Sequence, residues 1–169
     1  MNPSFPSPTL PIIVVAVDVY QEAAFLVRQA ITIGRRMGGA HVTLTHAVAP
    51  MRFIPTGESG LSFVDEELRE AQEMLYELAE TTVPPEIYLH VQVMVGSPVD
   101  AISEACASLG SSLLIVGTPR PRLRILRSVS ERLVRRAPCS VLAISPRAAA
   151  APVGNTVERR QEVVEAYPW

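Results

Sequence analysis

The residues of this sequence best suited to hold an anion stand at the ends of two apolar runs. Asp18 follows Pro11-Ile-Ile-Val-Val-Ala-Val17, and Gly117-Thr118 follows Leu113-Leu-Ile-Val116. In a doubly wound sheet, ligands settle beyond the carboxyl ends of strands whose connections depart in opposite directions, so a nucleotide or another anion is expected between these two points. Just past Gly117, Arg120, Arg122, Arg124, Arg127, Arg132, Arg135 and Arg136 gather seven of the fifteen bases into one window, opposed only by Glu131. Guanidinium forks grip phosphate with two parallel hydrogen bonds, which makes Arg120 and Arg124 candidate anion ligands. A plainer reading stands beside each. Asp18-Val-Tyr-Gln21 is also a capping-box pattern for a helix start, and Arg132 and Arg135 also fit the solvated face of a helix, with Glu131 and Arg135 spaced to pair.

Other chemistries find little support. Every base is arginine, so the phosphate-binding lysine of a P-loop, Schiff-base chemistry and the kinase lysine are excluded. His41 and His46, five apart on one extended run, face opposite sides, and His90 belongs to another run, so no metal site is expected. Cys106 and Cys139 lie far apart without C-x-x-C spacing, one in an apolar stripe and one beside a strand, where buried, inert thiols are the expectation. No Gly-x-Ser-x-Gly elbow occurs, and no nucleophile has a base at identifiable spacing.

The elements that must position these residues follow from periodicity. The chain has 169 residues, 48% of them hydrophobic, enough to build one ordinary domain without metal or disulfide staples. Its net charge of -2 gives no overall footprint for nucleic acid or an anionic membrane, and its longest apolar run is far too short to span one. With no secretory signal before the cysteines, a cytoplasmic location is expected. Residues 1–9, rich in proline and serine, read as a flexible arm. Residues 10–146 then alternate strand and helix. Strands are expected at Pro11–Val17, His41–Val48, Ile87–Val95, Leu113–Val116 and Val141–Ile144.

The intervening helices are marked by apolar stripes: Ala23, Leu26, Val27, Ala30, Gly34 and Met37 before Gly38-Gly39, then Val64, Leu68, Ala71, Leu75 and Leu78. A third stripe, Val99, Ile102, Cys106 and Leu109, opens on Ser97-Pro98 with Asp100 placed for capping and stops at Gly110. The last helix carries Leu126, Val129 and Leu133 inward. Between the second strand and its helix, Ala49 to Leu61 is long enough to serve as a cover rather than a connector. Residues 147–169 read as an alanine-rich linker and a tail with a short charged helix near Trp169. Five strands alternating with four helices give an open parallel sheet with helices on both faces, a Rossmann-like α/β fold.

Several segments in order resemble the universal stress protein family: Val14-Val-Ala-Val-Asp18, Val95-Gly-Ser-Pro98, Leu114-Ile-Val-Gly117, Ser128-Val-Ser-Glu-Arg132, Arg136-Ala-Pro-Cys139 and Val141-Leu-Ala-Ile144. The resemblance covers about Leu10 to Ser145 and implies strand order 3-2-1-4-5 and a dimeric domain, with one branch of the family binding ATP. That branch carries Gly-x-x-Gly and a later Gly-Ser or Gly-Thr, because bare amides must approach the phosphates. Here Gly117 supplies the first glycine, the second falls on Arg120, and Arg127 stands where the last precedes Ser128. The intervening stretch is compressed, and Pro119 and Pro121 lack amide donors. Asp18 matches the adenosine-contacting position, Ala47 the second-strand position near adenine, and Ser128, Val129 and Ser130 the positions near the phosphates.

The expected function is therefore a non-catalytic regulatory or stress-response module with a degenerate nucleotide crevice, needing no cofactor and acting through an unidentified protein partner. The alternative is a switch gated by ATP, AMP or another phosphate-bearing metabolite between the first and fourth strands. An apolar edge strand invites its symmetry mate, so a homodimer through Val141–Ile144 is expected, with no nucleic acid partner and no membrane insertion.

Overall fold

The computed structural model describes residues 10–19, 23–49, 59–84, 87–118 and 128–145. The amino-terminal arm, the arginines from Arg120 to Arg127, Leu126, most of the 49–61 segment and the tail with Trp169 lie outside them.

Strand β1 (Ile12–Ala16) has no polar alternation because both of its faces are covered. Ile13 and Val15 enter a core shared with α1 (Ala24–Arg36) and α2 (Ser59–Thr82). Val14 enters a second core with α3 (Pro98–Leu109) and α4 (Val129–Arg136). All three are fully buried. With β2 (His41–Val48), β3 (Tyr88–Val95), β4 (Leu113–Gly117) and β5 (Ser140–Ile144), β1 builds one five-stranded sheet in the order β3-β2-β1-β4-β5. Every neighbouring pair is parallel, so the expected 3-2-1-4-5 order is the observed one.

Helix stops fall where glycine permits left-handed backbone. Gly38 and Gly39 follow α1 at φ +81° and +128°, and the Gly39 amide donates to the Gly34 carbonyl at 2.9 Å. Gly110, at φ 62°, caps α3.

Helix starts depart from the sequence reading in three places. Helix α1 begins at Ala24 with Ala23 as its N-cap, so Asp18-Val-Tyr-Gln21 is not its capping box. The chain is still in the sheet there, since the Val17 amide donates to the Thr45 carbonyl at 2.9 Å. Helix α2 already includes Ser59 and Gly60, taking residues from the expected cover loop. Ser97 makes no side-chain cap for α3, although Pro98 and Asp100 occupy its first turn as expected. Asp100 instead meets Arg136 at 2.9 Å and joins α3 to α4. Both side chains are more than half exposed, which limits such a pair to roughly 0–1 kcal/mol. The Glu131–Arg135 pair does not form.

Two apolar side chains also point the other way from expectation. Met37 sits at the C-cap of α1 and is exposed, and Val129 is 41% exposed rather than inward. With Ser128 as N-cap, Val129 is the first helical residue and the inward stripe runs through Ser130 and Leu133. Successive residues turn about 100° around a helix, so burying Ser130 swings Val129 outward.

Candidate functional site

The helix after β1 packs on the α1/α2 face and the helix after β4 on the α3/α4 face, so the carboxyl ends of β1 and β4 form the topological switch point where open α/β sheets hold ligands. Asp18 stands exposed one residue past Val17, and Gly117 and Thr118 stand half-buried at the matching end of β4. Ala47 is half-buried near the end of β2 and packs against the α3/α4 core. Ser128, Val129 and Ser130 begin α4. The described members of the expected set thus gather at the carboxyl end of the sheet and the start of α4. Arg120 and Arg124 lie outside the described residues.

Two polar groups of this set are already engaged by the fold. The Thr118 amide donates to the Ile144 carbonyl at 2.9 Å and so belongs to the β4–β5 ladder. The Ser128 hydroxyl accepts the Glu131 amide at 3.2 Å as the α4 cap and lies 3.0 Å from the Ser130 hydroxyl. Gly117 has ordinary backbone, and a Cβ there would rest 3.5 Å from Leu26, in normal contact. This glycine therefore answers neither a turn nor a clash among the described residues.

His46, set aside by the sequence reading, supports the site from below. It is buried on the Val42 and Leu44 face of β2, and its Nδ1 lies 2.8 Å from the Val17 carbonyl. A carbonyl only accepts, so Nδ1 carries the proton and donates. This bond pins the chain directly before Asp18. His46→Leu is expected to cost about 1–3 kcal/mol in urea unfolding, because the buried Val17 carbonyl loses a donor. An unchanged midpoint and slope would assign that carbonyl to other partners. The sequence signal was available in the opposite facing of His41 and His46, but its partner is set by a register that only the folded sheet supplies.

A cleft of about 240 Å³ lies elsewhere, lined by Val19, Ala23, Met74, Glu77, Leu78 and Thr81. It is smaller than the roughly 300–1,000 Å³ usual for ligand pockets and shares none of the expected site residues. Among the described residues no cluster of three or more metal-ligating side chains occurs. No helix among them is long and apolar enough to cross a membrane.

An open parallel sheet with helices on both faces and a switch-point crevice defines a Rossmann-like α/β protein. Residues 10–145 match the family model described as the Universal stress protein family, and the chain belongs to that family. Among solved structures, it is similar to the universal stress protein UspA of Lactobacillus plantarum at 19% identity and TM-score 0.68, covering 82% of this chain and 99% of that one. A universal stress protein from Archaeoglobus fulgidus in complex with dAMP is similar at 22% identity and TM-score 0.51, over 80% and 98% of the two chains. A family member from Arabidopsis thaliana with AMP bound is similar at 16% identity and TM-score 0.55, over 85% and 96%. Likeness at these identities concerns the fold. Compared with curated proteins by sequence, the chain has no significant match.

Proposed function

We propose that this protein is a non-catalytic regulatory module of the universal stress protein family whose domain, residues 10–146, works by dimerisation and by binding a protein partner in the cytoplasm. The reading gives it no required cofactor and no catalytic group. The observation that carries it is the engagement of crevice groups by the fold: the Thr118 amide donates to β5, and the Ser128 hydroxyl accepts as the α4 cap. A crevice whose Thr118 amide is used by the sheet has less to offer a phosphate, since transferring that bond leaves the Ile144 carbonyl unmet.

The partner side of the proposal is supported by exposed apolar residues on β5 and the helix beside it. Leu142 is 38%, Val129 41% and Val134 56% exposed. Two copies meeting along β5 would cover the strand edge and remove a template for unwanted pairing.

A second reading is favoured by the relatives crystallised with dAMP and AMP. In it, a nucleotide or another phosphate-bearing metabolite sits between Asp18, Ala47, Gly117, Thr118 and Ser128 to Ser130, with Arg120 and Arg124 replacing the lost glycine amides. Equilibrium dialysis with labelled ATP separates the two readings. No saturable binding is expected under the first. A plateau at one nucleotide per chain, lost in the Arg120→Ala/Arg124→Ala double variant, would establish the second.

A further inference from the structure

The fold brings together two thiols that lie far apart in the sequence. Cys106 is on the last turns of α3, and Cys139 directly precedes β5. Both are free and belong to the same apolar cluster, with Cys106 1% exposed and Cys139 partly accessible. Ser111, just before β4, bonds to both residues. Its amide donates to the Cys106 carbonyl at 3.0 Å, and its hydroxyl donates to the Cys139 sulfur at 3.2 Å. Ser111 thus bridges the Cys106 backbone and the Cys139 thiol within one apolar cluster. This cluster lies at the amino-terminal end of the sheet, opposite Asp18 and Gly117.

Nothing in the proposed function uses these groups. Two thiols of one cluster joined through a single serine, one partly accessible and one sheltered, form the arrangement in which an oxidised cysteine meets a resolving partner. We propose that Cys106 and Cys139 are an oxidisable pair, converted by a peroxide into an intramolecular disulfide, with Cys139 attacked first and Cys106 resolving. The Cys139 thiolate attacks one peroxide oxygen, the O–O bond breaks, and the departing hydroxide takes a proton to leave as water. Cys139 is then a sulfenic acid. The Cys106 sulfur attacks the Cys139 sulfur, the S–O bond breaks, and the leaving hydroxide takes the Cys106 proton as a second water. Two thiols and one peroxide have become one disulfide and two waters.

The order of events follows from access. Cys139 is partly accessible, whereas Cys106 is buried and that burial pushes its thiol up to about 11, the Ser111 contact opposing and Cys139 adding to the rise. Cys106 is thus sheltered from peroxide, and its raised pKa makes its attack on the oxidised Cys139 the slow step. The bond would fasten the end of α3 to the start of the edge strand β5.

The test is hydrogen peroxide treatment of the full-length protein, followed by denaturation, alkylation and intact mass measurement. The expected product has lost two hydrogens, takes up no alkylating reagent, and yields a Cys106–Cys139 linked peptide that dithiothreitol separates. Cys106→Ala is expected to accumulate a dimedone-reactive sulfenic acid on Cys139. Cys139→Ala is expected to leave Cys106 fully alkylatable after denaturation. The proposal is overturned if the wild-type chain gains oxygen at Cys139 while Cys106 remains alkylatable. A linkage solely between chains overturns it too. The wild-type measurement stands whether or not either variant folds.

Discussion

Ala143→Pro is expected to turn the proposed homodimer into a folded monomer. The Ile144 carbonyl accepts the Thr118 amide, so Ile144 directs its backbone toward β4. Backbone groups of successive strand residues point in alternate directions, which sends those of Leu142 toward β4 and those of Val141 and Ala143 toward the open edge. A proline at Ala143 removes an outward donor and spares the β4 ladder. Leu142→Pro removes an inward donor instead and harms the sheet together with the interface. Sedimentation velocity should therefore show Ala143→Pro as a monomer with a native circular dichroism spectrum. A dimer that survives the change would place the interface on another surface, with the exposed Val134 face of α4 the next to test.

Ile115→Ala is expected to cost about 3–4 kcal/mol, a large share of the roughly 5–15 kcal/mol that holds a domain folded. Ile115 is fully buried and pairs with Val15 on one side and Leu142 on the other. Its loss opens a cavity in the strand that carries Gly117 and aligns β5. Both ends of the account depend on that strand, so subunit affinity should fall along with the midpoint of urea unfolding. A loss below 1 kcal/mol would mean that neighbouring side chains collapse into the space.

The fold was largely legible because its strands and helices carry strong periodic signals. The Ile12–Ala16 run is apolar at every position, and in the fold both of its faces are covered. Gly38-Gly39 and Gly110 end helices where their backbone freedom is needed. Local patterns misled where tertiary contacts competed. Asp18-Val-Tyr-Gln21 has the spacing of a cap, yet β1 still bonds to β2 through Val17, and the helix starts later. Asp100 has the position of a capping acid, yet its partner is Arg136 on another helix. Val129 fitted an apolar stripe only while the helix was drawn from Leu126; the Ser128 cap rotates it outward.

What could not be read was any relation set by the register of distant strands. His46 meets Val17 only because β1 and β2 align Ala16 with Thr45. Cys106 and Cys139 meet only because α3 returns beside the start of β5, where Ser111 joins them. The switch point beyond β1 and β4 was legible as a place, since the strand order sets it. The engagement of its polar groups was not readable, because Thr118 and Ser128 acquire their partners from β5 and α4.

A native mass spectrum of the purified full-length protein, recorded before and after addition of ATP, tests the central claim most directly. It reports subunit number and bound mass together. The account predicts a dimer whose mass does not change with ATP. A dimer carrying one nucleotide per chain, or a monomer at every concentration, would contradict it.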